Sequence, residues 1–375
     1  MGKMLDSFQQ ARLRRGNQPS SPVLCTVWPD EDANAGPPED AEEDMPFIEV
    51  GGPREPGEGT LLPPLPPLGK PKPVADKAEF ARLPTYFELG TVVQERMMAD
   101  EVNTLQRMSY FTKWDHSTGK PGALPVKVGI LSVDVPEWER PLQHVLLPVL
   151  ARAGHPAAAA DVVRVHNPNS TAEDGQTVND IQSATLKFRA DNVTHVILLD
   201  ANGSLTLLFA KDAESQGYFP RYGANSATAM QALYDSGVLD NNQLNGAVGL
   251  GWVPILDLSA SAGNKYANSA TAYCLKVMKD RTGQTFDSTN AAAIALSYCD
   301  MGFLLAKGIA NAGASLTKDT VLGAIEALGN RLPSAGLPES FYGPGRHDSV
   351  QRGFDMMWNT ECSCAQYKGA HEIPS

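Results

Sequence analysis

The chain has 375 residues, a formal net charge of −12 and an apolar share of 42%, a balance that fits an ordinary globular chain with room for two domains. The acidic balance excludes nucleic acid as an expected partner, because neutralising phosphates takes clustered Lys and Arg. No apolar run is read as reaching the roughly 18 residues that span a bilayer. The N-terminus lacks a basic start followed by an apolar core, so the sequence predicts a chain without a secretory leader that stays in the cytoplasm.

Residues 1–73 are rich in proline, carry an acidic run over 39–44 and contain Pro-Pro-Leu-Pro-Pro at 63–67. Such a segment buries too little apolar surface to offset its ordering entropy and is predicted to be disordered. The proline run reads as a stiff linker or as a polyproline ligand for a partner domain. From residue 83 the character changes: 85–89 is a short extended piece, 92–110 a helix with Met97, Val102, Leu105 and Met108 among its apolar positions, and 113–125 a turn-rich loop.

Between 125 and 226 one unit recurs three times, a short apolar strand, a polar loop and a helix. The strands fall at 126–132, 161–166 and 193–199, the helices at 138–153, 174–190 and 204–216. Residues 217–222 enter a fourth strand, Ser226 caps a helix to 236, and 245–252 is a fifth strand whose glycines predict close backbone approach. This alternation predicts βαβ units and a parallel sheet covered on both faces. Ligands of open α/β sheets sit outside the carboxyl ends of the strands, here the loops 132–138, 200–204 and 224–226.

Beyond Pro254 the alternation stops. Three helices follow, over 264–279, over 289–312 after a Ser288 cap, and over 318–328 after a Thr317 cap. The middle one is apolar round most of its circumference and must be covered on several sides. Residues 341–367 read as a turn and a two-stranded hairpin that closes on the sheet. Cys274, Cys299, Cys362 and Cys364 lie in the last third and suit two disulfides in an oxidising compartment, with three pairings open. Cys274 and Cys299 read equally as small core residues. Cys362-Ser-Cys364 is too tightly spaced for zinc, which takes two to four intervening residues.

No catalytic set stands out. The seven His residues show no H-E-x-x-H spacing, there is no G-x-S-x-G, and Gly249-Leu-Gly251 runs into Trp-Val-Pro instead of a dinucleotide loop. Asp200 ends an apolar strand, where it reads as a base, a ligand contact or a helix N-cap. Asn202-Gly203 reads as a plain turn or a recognition loop. Trp138, placed early in a helix beside a strand end, reads as an apolar wall for a ligand side chain or as core packing. His195 reads as a satisfied core residue.

The order of these elements resembles the type I periplasmic binding proteins, specifically the substrate-binding proteins of branched-chain-amino-acid ABC transporters. The likeness covers residues 84–368 and is strongest in 126–134 with Trp138, in 193–222 with Ala-Glu-Ser-Gln-Gly-Tyr at 213–218, in 246–254 and in 343–358. It implies an α/β fold: a three-layer lobe with a parallel sheet, residues 84–252 and 343–368, beside an incomplete, mainly helical second lobe, residues 253–342. The family's first lobe begins the chain with its own strand and helix repeat, which residues 1–73 do not contain. The resemblance further implies a non-enzymatic receptor that closes about a hinge on a small solute of amino-acid type. Such a receptor hands its solute to an ABC transporter permease, uses no cofactor or metal, and works outside the cytoplasm.

On that pattern the ligand contacts are Ser132, Asp134, Trp138, Asp200, Asn202, Gly203, Ser204, Asn225 and Ser226. The lobes are joined by crossings at 85–91, 250–256 and 342–349, with Gly90, Trp252, Pro254 and Gly345 at the hinge. Arg346 and Asp348 form a pair across the third crossing or a solvated surface pair. A chain lacking half of the cleft reads alternatively as a truncated or fused descendant that binds no solute and acts as an interaction module. A partner chain covering residues 264–328 would then account for the apolar middle helix.

Overall fold

The computed structural model describes residues 92–373, apart from 168–172, 200–202, 288, 314–315 and 345–348. The acidic, proline-rich residues 1–73, the first crossing with Gly90, Asp200, Asn202, the Ser288 cap, Gly345 and the Arg346–Asp348 pair lie outside the described residues.

The turn-rich loop holds two short antiparallel strands, β1 (Trp114–Asp115) and β2 (Lys120–Pro121). The main sheet has seven strands: β3 (Val128–Val133), β4 (Val162–Val165), β5 (His195–Leu199), β6 (Arg221–Asn225), β7 (Val248–Gly251), β8 (Arg352–Asn359) and β9 (Cys364–Glu372). Their spatial order is β4-β3-β5-β6-β7-β8-β9. The first five run parallel, as the alternation predicts, and β8 and β9 add antiparallel. β5 is buried along its whole length and β3 almost so, which suits strands covered on both faces. β8 and β9 are joined by a short turn, which only an antiparallel pair permits.

One face is covered by α1 (Val92–Arg107) and by the helical run after β3. That run is broken into α2 (Pro136–Pro141), a π-helical turn (Leu142–Leu146) and α3 (Leu147–Arg152), because Pro141 and Pro148 supply no N–H to the helical ladder. The other face is covered by α4 (Asp174–Ala190), α5 (Ser204–Ser215) and the short α6 (Met230–Asp235). Ile181, Phe188, Phe209 and Met230 pack there against Val196 and Leu198. His195 is fully buried, with Nε2 donating to the Tyr110 carbonyl at 2.9 Å.

Two expected elements shift. The fourth strand begins at Arg221, after Pro220, which has no N–H for the ladder. The helix expected from a Ser226 cap is instead a 3₁₀ turn over Ser226–Thr228 followed by α6. The cap is Asn225, whose side chain accepts from the Ala227 N–H at 2.9 Å while Thr228 reaches back to the Asn225 N–H. Close approach in the fifth strand is real: a Cβ on Gly249 would lie 1.7 Å from the Ala224 carbonyl oxygen.

After β7 the chain forms α7 (Pro254–Asp257), α8 (Ala260–Gly263), α9 (Ser269–Thr282), α10 (Thr289–Ala312) and α11 (Lys318–Glu326). α9 starts late because Asn268 caps it, accepting from the Ala270 and Thr271 N–H groups at 2.8 and 3.1 Å. Of the three open pairings, the cysteines take Cys274–Cys299, which ties α9 to α10, and Cys362–Cys364. Asp300, inside α10, accepts from the Ala335 and Gly336 N–H groups at 2.6 and 3.3 Å and from the Ser334 hydroxyl. Burial pushes its carboxyl up to about 6. The expectation that no segment is long and apolar enough to cross a membrane is corrected by α10. By length and composition alone, Ala291–Ala312 meets that test, because its two charges, Asp300 and Lys307, are spread among Ala, Leu and Ile. It also carries Tyr298, 60% exposed.

Candidate ligand-binding rim

Parallel strands end their carboxyl termini on one edge, and the order β4-β3-β5-β6-β7 makes one gap in that edge special. The chain leaves β3 toward β4 over one face and reaches β5 by way of α4 over the other. The helices after β3 and β5 therefore cover opposite faces of the sheet, and a switch point of this kind is the usual ligand position in doubly wound sheets. Ser132 and Asp134 stand on one side of this switch point, Gly203 and Ser204 on the other.

Asp134 is exposed, and its N–H donates to the Val165 carbonyl at 2.8 Å, holding the loop against the end of β4. Ser132 is buried, with its hydroxyl turned to the Val133 carbonyl at 3.2 Å. Gly203 opens α5 at φ +80°, which a side chain would resist. Its Cα also sits against α6, where a Cβ would come within 3.1 Å of Ala229 Cβ. Ser204 is exposed at the first position of α5. Beside Asp134, Arg164 makes a forked pair with Glu139 at 2.6 and 2.8 Å. The Arg164 hydrogen bonds hold the Glu139 carboxyl below its ordinary range, and the same pair raises the Arg164 guanidinium. His166 Nε2 lies 2.8 Å from Glu173 Oε2 at the end of β4. The described residues here are mostly polar, with Asp134 and Ser204 exposed.

Trp138 does not face the rim. It is 5% exposed and packs with Val128, Ile130, Leu142 and Leu146, the core-packing alternative.

The β6–β7 half of the rim is sealed. Ser226, with no exposed surface, donates from Oγ to Asp257 Oδ2 at 2.6 Å. The same oxygen accepts from the Tyr367 hydroxyl at 2.5 Å and from the Trp252 and Val253 N–H groups at 3.1 Å each. Asp257 is 3% exposed, and burial pushes its carboxyl up to about 6 against these four donors. Asn225 donates from Nδ2 to Glu101 Oε2 at 3.0 Å. Glu101, on α1, is 2% exposed, and its Oε1 has no hydrogen-bond partner among the described residues. Burial, with Asp100 adding repulsion, pushes its carboxyl up to about 8. Trp252 is buried with Val253 and Ile255 in the cluster that links β7 to α9 and α10, and Pro254 starts α7.

The structure thus brings Ser132, Asp134, Gly203 and Ser204 to the switch point and turns Asn225 and Ser226 inward. Sequence reasoning missed Glu101, Asp257 and Tyr367. Glu101 carried a signal: it stands one helical turn from both Met97 and Leu105, on the apolar stripe of α1.

No protein-family model matches the sequence, and no curated protein matches it. Among solved structures the chain is similar to an extracellular ligand-binding receptor from Rhodopseudomonas palustris HaA2, at 14% identity and a TM-score of 0.49 over 73% of this chain and 67% of the other. It is also similar to an ABC transporter substrate-binding protein from Desulfitobacterium hafniense in complex with Leu, at 13% identity and a TM-score of 0.40 over 73% and 65%. A third is a leucine-, isoleucine-, valine-, threonine- and alanine-binding protein from Brucella ovis, at 12% identity and 0.39 over 68% and 60%. The chain spans about two thirds of the length of these structures.

Proposed function

We propose that this chain is a non-enzymatic solute receptor that takes a small zwitterion, of amino-acid type, at the β3–β5 part of the rim. The observation that carries the reading is the switch point between β3 and β5, with exposed Asp134 in the loop after β3 and exposed Ser204 at the start of the helix after β5. Asp134 offers a carboxylate to the ammonium group of such a solute. The hinge reading assigns Trp252 and Pro254 to the second crossing between a lobe of residues 84–252 and 343–368 and the helices of 253–342. An oxidising, extracytoplasmic setting agrees with the two disulfides, and a transporter permease is the partner this reading calls for.

Titration calorimetry with a panel of apolar and polar amino acids, leucine included, is expected to show saturable heat for at least one member. Asp134→Asn is expected to weaken that binding by roughly 10- to 100-fold, the worth of one charge-assisted hydrogen bond, while leaving the melting temperature unchanged. Silence across the panel from a folded sample sinks the solute reading. It would favour the interaction-module alternative, which the sealed β6–β7 half and exposed Tyr298 on α10 support.

A further inference from the structure

The two disulfides differ in kind. Cys274–Cys299 joins two helices across 25 residues, and Cys274 has no exposed surface. Cys362–Cys364 spans a single residue at the exposed turn between β8 and β9. Because the entropy removed from the unfolded chain grows with loop length, the second bridge contributes much less to stability than the first. The turn does not need it. Asn359 pairs with Cys364 in the β8–β9 ladder, and Asn241 donates to the Thr360 carbonyl at 2.9 Å while accepting from Trp358 Nε1 at 2.7 Å. A bridge that is accessible and dispensable to the fold is free to open and close.

Its surroundings favour the open form. Gln366 Nε2 lies 3.6 Å from Cys362 Sγ and 4.0 Å from Cys364 Sγ, so one amide donor reaches both sulfurs. The carbonyl end of the same amide accepts from the Lys368 ammonium at 2.9 Å. That cation polarises the amide and strengthens its N–H groups toward whichever sulfur becomes a thiolate. Between the cysteines, Ser363 sits at φ +51°, the left-handed backbone conformation of a tight turn.

We propose that Cys362–Cys364 is a thiol–disulfide exchange site that takes small-molecule or protein thiols. A thiolate RS⁻ attacks Sγ of exposed Cys362, forming an RS–Sγ bond as the Cys362–Cys364 bond breaks and Cys364 leaves as a thiolate. A second thiolate attacks the RS sulfur, forming RSSR and releasing the Cys362 thiolate. Two thiols are oxidised, the pair is reduced by two electrons, and the two protons given up by the thiols end on Cys362 and Cys364. The reverse sequence, with RSSR as oxidant, closes the bridge again.

The test uses the full chain, with Cys25→Ser alongside so that the fifth cysteine supplies no internal thiol. The oxidised protein is held in millimolar reduced glutathione under native conditions, quenched with acid at intervals, alkylated and read by peptide mass spectrometry. Cys362 and Cys364 are expected to label at least roughly tenfold faster than Cys274 and Cys299, with an unchanged circular dichroism spectrum. Oxidised glutathione is expected to restore the bridge, and Gln366→Leu to slow opening severalfold at the same melting temperature. Equal labelling at both pairs, labelling of Cys362 and Cys364 only in denaturant, or isolation of that pair as thiols that oxidised glutathione does not close would each overturn the proposal.

Discussion

Asp257→Ala is expected to lower the stability of the chain by about 3–5 kcal/mol, read as a fall in melting temperature of roughly 10 °C. One oxygen of Asp257 gathers donors from the ends of β6 and β7 and from β9: the Ser226 and Tyr367 hydroxyls and the Trp252 and Val253 N–H groups. Without it the two N–H groups fall back on Ser226 Oγ, already 2.8 and 3.2 Å away. The two hydroxyls have no other acceptor among the described residues. Each buried donor left without an acceptor costs about 1–3 kcal/mol, and the space vacated by the carboxylate adds to this.

Two further substitutions grade the effect. Asp257→Asn keeps an acceptor oxygen but places an amide among donors, so about half the loss is expected. Tyr367→Phe removes a single hydroxyl and preserves the ring, which stacks on Phe354 at a centroid distance of 4.3 Å, so a loss near 1 kcal/mol is expected. Thermal melts of the three variants check the order. An alanine variant that melts within about 2 °C of the parent would mean that the network contributes little to this junction.

The sheet was legible because its cause is local. Val128–Val133 and His195–Leu199 are apolar, short and bounded by polar loops, and strands covered on both faces need nothing more. Parallel order then placed Ser132, Asp134, Gly203, Asn225 and Ser226 at carboxyl ends without any knowledge of contacts. Where each side chain points was not legible, because that is decided by partners far along the chain. Ser226 turns inward for Asp257, 31 residues on, Asn225 for Glu101, 124 residues back. Trp138 is buried because the π-helical turn at Leu142–Leu146 packs beside it on the sheet. The disulfide pairing had the same character for Cys274 and Cys299, which meet only when α9 and α10 do.

Glu101 gives the second large effect, and it depends on pH. Its carboxyl rises from 4.5 in a solvated chain to about 8 in the fold, chiefly because burial disfavours the charge, with Asp100 adding to it and the Asn225 hydrogen bond opposing. Between those values the folded chain keeps a proton that the unfolded chain has released, so stability falls as pH rises from about 4.5 to about 8 and is level beyond. At about 1.4 kcal/mol per unit, the loss is on the order of 4 kcal/mol across that window. Glu101→Gln cannot ionise, so the parent minus variant difference in unfolding free energy should drop by that amount between pH 5 and pH 8.5, measured by urea melts. The difference matters more than either curve, because Asp257 and Asp300, both raised to about 6, put a similar slope into both proteins at the acidic end. The Tyr110 ring, itself raised partly by the Glu101 charge, remains neutral throughout this range. A difference that stays flat from pH 5 to 8.5 would show that Glu101 is ionised in the fold, and that something beyond Asn225 compensates its charge.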